Sequence, residues 1–205
     1  AAICDYQNKP FDFVQHVVKN VDRYIDYSSG RGNDSQPNLQ MNNLKKLCGG
    51  AFSLHYILLL AASNFPKQLF DHFVVQLESF LFYYIFTKTP TKELERNFSL
   101  WADELRQISA ETDSKKQIEL YNQFLKDRFV KCLTAKENEL SDYLKRYSLN
   151  SMQQYRTRYL LSKLTQHVDM AYKGMKTPGA LDEYTVLDIE HILPNNPTNN
   201  LRSDF

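Results

Sequence analysis

The chain has 205 residues, 42% of them apolar, and carries 13 Tyr and 13 Phe; that size suits one domain or one and a half, with a core dominated by aromatic rings. Six Gly and seven Pro argue against a loop-rich or β-sandwich fold, and a formal net charge of +1 excludes the whole-domain basic footprint of a dedicated DNA-binding module. Cys4, Cys48 and Cys132 are widely spaced with no C-x-x-C between them, which argues against a disulfide framework or a zinc site and makes a reducing compartment the expectation.

The opening Ala1-Ala2-Ile3-Cys4-Asp5 has neither a basic region nor an apolar core of its own. It does not read as a signal peptide but as a cut inside a longer protein. Residues 11–27 read as a helix, with Val14, Val18, Val21 and Ile25 at helical spacing and Pro10 suited to the first turn. Residues 28–43 are rich in Ser, Gly, Asn and Gln, and are expected to form a mobile loop with too little apolar burial to offset ordering entropy. A short helical lead over 44–48 meets Gly49-Gly50, then the most apolar segment, centred on Ile57-Leu58-Leu59-Leu60. That segment, 51–63, is too short to span a bilayer and reads as a buried helix.

Pro66 opens a helix whose stripe is Phe70, Phe73, Val74, Leu77, Phe80, Leu81, Tyr84 and Ile85, an i, i+3, i+4 series. The aromatic run 80–86 lies on it and reads as core rather than as a base-stacking platform. Residues 91–110 carry Leu94, Phe98, Trp101, Leu105 and Ile108, and Ile118, Tyr121, Leu125, Phe129 and Leu133 repeat the pattern. A shorter helix follows over 136–146. Residues 151–174 align Leu160, Leu164, Val168, Ala171 and Met175, with Gly174 placed to cap the end. His16, His55, His72 and His167 are isolated on these helices and are assigned to structure. The stripes predict a mainly α protein, an irregular multi-helix bundle.

The composition changes at Lys176-Thr177-Pro178-Gly179, so a helical domain is expected over 1–175 and a second unit over 176–205. Residues 184–192 are β-branched without helical periodicity and read as one short C-terminal strand. Residues 195–200 read as a loop.

That strand carries Asp188-Ile189-Glu190-His191-Ile192-Leu193-Pro194. Phosphodiester hydrolysis needs a group to take a proton from water and a cation to offset charge developing on the phosphate. Histidine suits the first by its pKa, and carboxylates hold a hard divalent cation for the second. Neighbours on a strand point to opposite faces, so Glu190 and His191 converge only if the strand ends or bulges there. Pro194 marks that end. The segment is similar to the D-x-[DE]-H-[IV]-x-P motif of HNH (ββα-metal) nucleases, and resembles most the DUF1524 branch, whose members often read E-H-I-L-P. The resemblance implies His191 as general base, Glu190 as metal ligand, and Mg²⁺ or Mn²⁺ as cofactor; Asp188, two residues earlier on the same strand face as Glu190, is either a second metal ligand or an orienter of the first.

In DUF262/DUF1524 proteins, which resemble GmrSD-type restriction and phage-defence nucleases, a nucleotide-hydrolysing N-terminal domain precedes a long helical region and then this motif. The resemblance therefore implies a cytoplasmic bacterial or archaeal endonuclease acting on DNA, with or without base modification, without a membrane association. The strand and helix completing the ββα-metal unit are expected beyond residue 205, which would leave this chain inactive alone. Between residues 143 and 168 there is no acidic side chain, and Lys145, Arg146, Arg156, Arg158 and Lys163 offer phosphate contacts. Their alternative is a solvated helix face. Two rivals stand beside the nuclease: a non-catalytic helical interaction module, and a regulator that binds nucleic acid without cutting it.

Overall fold

Apolar residues three and four apart along 67–110 dictate two long helices that can bury their stripes only against other elements, and the fold is arranged around them. The computed structural model describes residues 8–50, 52–148 and 150–187. Its described elements are helices α1 (Pro10–Ser28), α2 (Leu39–Cys48), α3 (His55–Ala61), α4 (Lys67–Phe86), α5 (Thr91–Ala110) and α6 (Ser114–Phe124), a π-helical turn (Leu125–Val130), and α7 (Lys131–Lys145), α8 (Gln154–Lys173) and α9 (Asp182–Thr185). The only strand-like pairing among the described residues is an isolated bridge between Arg31 and Pro37. Contacts divide the chain into one unit up to Arg156 and another from Thr157; each is described by itself.

In the first unit every stripe residue expected on α4 is buried, as are Leu94, Phe98, Trp101, Leu105 and Ile108 of α5. Phe80 stacks on Phe129 at 4.6 Å and meets the Trp101 ring edge-on at 5.4 Å. The expected stripe Ile118, Tyr121, Leu125, Phe129, Leu133 is corrected. Tyr121, Phe124 and Phe129 are the buried set, whereas Ile118 is half exposed. The π-helical turn is the reason. One extra residue in the turn shifts the register so that Phe124 and Phe129, five apart, both face the core. The same turn makes α6 and α7 continuous, where the sequence suggested separate helices.

The polar stretch 28–43 is not all loop. Residues 39–43 belong to α2, and 29–38 are tied down by hydrogen bonds. Gly32 and Ser35 bond within the loop, the Arg23 guanidinium donates to the Asn33 carbonyl, and Asn33 Nδ2 donates to the Phe65 carbonyl at 2.7 Å. Asn38 caps α2 by accepting from Met41 N–H and donates to Asp71 at 2.6 Å, while Lys67 pairs with Asp34 at 2.7 Å. The side chains that suggested mobility satisfy each other and their neighbours instead.

α3 starts at His55 rather than at 51. α1 is held by its C-terminal half. Tyr27 is buried and stacks on Phe70, Tyr24 meets Tyr56 edge-on at 4.8 Å, and Lys19 donates to Asn64. Its apolar stripe, Phe11, Val14, Val18, Val21 and Ile25, points the other way and is between 51% and 82% exposed. In the second unit α8 ends as expected at Gly174, φ +63°. Its aligned residues Leu164, Val168 and Met175 are exposed rather than buried, and Leu160 alone of the large ones is buried.

Candidate functional site

Asp188, Glu190 and His191 lie outside the described residues, as does the greater part of the strand expected over 184–192. Tyr184 and Thr185, at its expected start, form α9 instead. The second unit does show how the chain is led toward the motif. Gln166, buried on α8, donates to the Gly179 carbonyl at 2.7 Å. Asp169 accepts from Lys173 at 2.7 Å and from the Tyr184 hydroxyl at 2.8 Å. The Lys173 ammonium and then the Tyr184 hydroxyl hold the Asp169 carboxyl below its ordinary range. The Arg158 guanidinium donates to the carbonyls of Leu187 at 2.8 Å and Thr185 at 3.4 Å. Both bonds come from Nη1, a terminal nitrogen that carries two hydrogens and stays charged. Three side chains of α8 thus fix the segment that ends one residue before Asp188.

The five basic residues do not share one role. Lys145 and Arg146 close α7 and are exposed, with Lys145 near Asp142 at 3.4 Å and Arg146 Nε donating to the Asp142 carbonyl. Both remain open to a phosphate. Arg158 is committed to the backbone of 185 and 187, and Lys163 stands over the Tyr159 ring at 5.7 Å. Arg156 belongs to the first unit, where Gln153 holds its Nη1 at 2.9 Å and the Tyr155 ring lies under it at 5.3 Å. Among the described residues no group of three His, Cys, Asp or Glu side chains could hold a metal ion. Cys48 and Cys132 are free thiols, and burial pushes the Cys48 thiol up, away from thiolate chemistry. His72 bonds the Tyr121 hydroxyl at 2.7 Å. His55 is buried against Phe52 and Tyr56, and burial pulls its pKa down to about 4. No helix among the described residues is long and apolar enough to cross a membrane.

The first unit also contains a cleft that no residue pattern in the sequence announces. With a volume of about 550 Å³, it opens between the α4–α5 turn and the segment entering α8. Lys88 and Arg156 line it from opposite sides in sequence, with Thr89, Thr91 and Ser151 between them. The turn Thr87-Lys88-Thr89-Pro90-Thr91 has lysine in the place after a helix at which glycine is usual. In comparisons with known proteins, no family model, no curated protein and no solved structure matches this chain.

Proposed function

We propose that the chain serves a metal-dependent HNH-type DNA endonuclease of the restriction or phage-defence kind, of the DUF262/DUF1524 type. The observation that carries this reading is the run Asp188-Ile189-Glu190-His191-Ile192-Leu193-Pro194. In it His191 takes the proton of the attacking water, and Glu190 and Asp188 hold Mg²⁺ or Mn²⁺. The residue types in this run fit a hard cation, since carboxylate oxygens suit such ions and the run contains no Cys. When bound, the cation offsets negative charge developing on the phosphate. Arg158 supports the reading from outside the motif, because it holds the carbonyls of Thr185 and Leu187 just ahead of Asp188. Lys145 and Arg146 supply exposed positive charge for the DNA backbone. A nucleotide-hydrolysing domain in the same protein belongs to this reading as partner.

The test is His191→Ala in the full-length protein as encoded. Metal-dependent nicking of plasmid is expected to vanish while DNA retention and far-UV circular dichroism stay unchanged, because the change removes a proton acceptor and little else. Cleavage at the wild-type rate would overturn the role. Glu190→Gln should shift the Mg²⁺ or Mn²⁺ titration upward, since a neutral amide is a poorer ligand. A second reading, the non-catalytic helical interaction module, is favoured by one observation, the exposed apolar stripe of α1.

A further inference from the structure

Thr87 ends α4, and Lys88 then turns to φ +54°, the left-handed region that glycine adopts freely and a side chain with a Cβ resists. The turn is a complete Schellman arrangement: Thr89 N–H bonds the Tyr84 carbonyl at 3.0 Å and Lys88 N–H bonds the Ile85 carbonyl at 3.2 Å. Glycine would make the same bonds without the strain. Helix capping therefore does not account for a lysine here, and its side chain must be sought for a reason. The side chain lines the cleft, with its ammonium 5.6 Å from the centre of the Tyr143 ring.

Four further observations meet at that cleft. Arg156 lines it too, with its Nη1 donating to Gln153 Oε1 at 2.9 Å and its guanidinium carbon 5.3 Å from the centre of the Tyr155 ring. Thr91, the first residue of α5, lines the cleft, and Pro90 before it offers no side-chain cap, so the positive end of a 20-residue helix is open there. The lining contains two cations and several hydroxyl and amide groups but no carboxylate. The walls also present Phe52, Ile85, Leu94 and Met152, and the volume is several times what a bare oxyanion fills.

We propose that this cleft binds a phosphate monoester of mononucleotide size, Lys88 and Arg156 taking the phosphate and the apolar wall taking the organic body. The site is independent of the nuclease motif and is read by binding rather than by cleavage, so either reading can fail without the other. Isothermal titration calorimetry on the whole chain at low salt, with adenosine monophosphate, adenosine and inorganic phosphate as probes, tests it. Adenosine monophosphate is expected to bind at least tenfold more tightly than either of the others. Lys88→Gly should then raise the thermal midpoint, because glycine relaxes the turn, and yet lower the affinity for adenosine monophosphate at least tenfold. Arg156→Gln should lower it comparably, and Lys88→Met, which keeps the stem and loses the charge, separates charge from turn geometry. Absence of binding by adenosine monophosphate, equal binding of adenosine, equally tight binding of inorganic phosphate as an adventitious ion only, or wild-type affinity in Lys88→Gly or Lys88→Met would each overturn the proposal.

Discussion

α4 and α1 carry the same kind of pattern and meet opposite fates. On α4, the residues from Phe70 to Ile85 that recur at three and four are all buried, and they build the aromatic centre with Trp101, Phe124 and Phe129. On α1, Phe11, Val14, Val18, Val21 and Ile25 recur just as regularly and face outward, while the helix is held by Tyr24, Tyr27, Lys19 and Arg23 on another face. Periodicity specifies an amphipathic helix. It does not specify which side of the helix this molecule uses. A contiguous exposed stripe of this kind is uncommon on an isolated fold and is typical of interaction surfaces.

The contrast breaks first, and most visibly, at Phe80. The ring is fully buried and contacts Tyr84, Phe98, Trp101 and Phe129. Phe80→Ala is expected to cost about 3–5 kcal/mol, as truncation of a large ring in a core that cannot collapse does. Urea unfolding monitored by circular dichroism measures it, and a cost below about 1 kcal/mol would mean that α4 is not the centre of the core.

A smaller but sharper effect is expected where α2 ends beside α4. Gly49 has φ +64° and ψ −169°, a region nearly reserved for glycine, and a Cβ there would sit 2.7 Å from the Tyr155 ring. The Tyr155 hydroxyl in turn donates to the Cys48 carbonyl at 3.2 Å, satisfying one of the orphan acceptors of α2. Gly49→Ala should therefore destabilise by about 1–3 kcal/mol from the backbone alone, with the displaced ring in addition. Gly50, with open space around its Cα, is the control and should tolerate alanine.

His55 gives the core side a pH signature. Desolvation lowers its pKa from 6.5 to about 4, and the backbone of Phe52 offsets only part of that. Between those values the unfolded chain takes up a proton that the folded chain refuses. The stability contribution is thus complete above pH 6.5 and is lost as pH falls toward 4. At 1.36 kcal/mol per pKa unit the loss is at most roughly 3 kcal/mol. Urea midpoints of wild type and His55→Leu, compared at pH 7 and pH 4.5, isolate it from the carboxylates. Equal slopes in the two proteins would show that His55 does not titrate as a buried group.

The long stripes of α4 and α5 were legible because every residue in them obeys one local rule and is buried by it. Gly174 was legible for the same reason, as a left-handed cap at the end of α8. What escaped depends on partners distant in sequence. The hydrogen bonds of Asn33 to Phe65 and of Asn38 to Asp71 reach more than thirty residues away, so composition alone could not show the partners of this polar stretch. The π-helical turn adds one residue to a helix without a breaker to announce it, and so it moved the buried set to Phe124. Arg158 counted as one more cation in an acid-free stretch, although its guanidinium serves two backbone carbonyls. The positive φ of Lys88 belongs to the same class, since a backbone angle is not written in the side chain. Asp188, Glu190 and His191 lie outside the described residues, and their proposed roles rest on the motif alone.

The smallest expected effect is the one that separates the two helices most cleanly. Val14→Ser together with Val18→Ser replaces two half-exposed side chains on α1 by a residue of similar helix propensity. Because little area leaves water when these valines fold, the pair should change stability by no more than about 0.5 kcal/mol, the range of ordinary surface substitutions. The same exchange at Val74 and Leu77, fully buried on α4, removes core volume and leaves hydroxyls without partners, and should cost several times more. A dye that fluoresces on apolar surfaces gives the complementary readout. Its signal with the native protein should fall in the Val14/Val18 variant, since the stripe is what it would bind. If the α1 pair instead destabilises as much as a core substitution, α1 packs its stripe inward in solution and the contrast with α4 disappears. If stability is unchanged and the dye signal falls, periodicity has produced one helix that builds the core and another that presents its apolar face to whatever meets it.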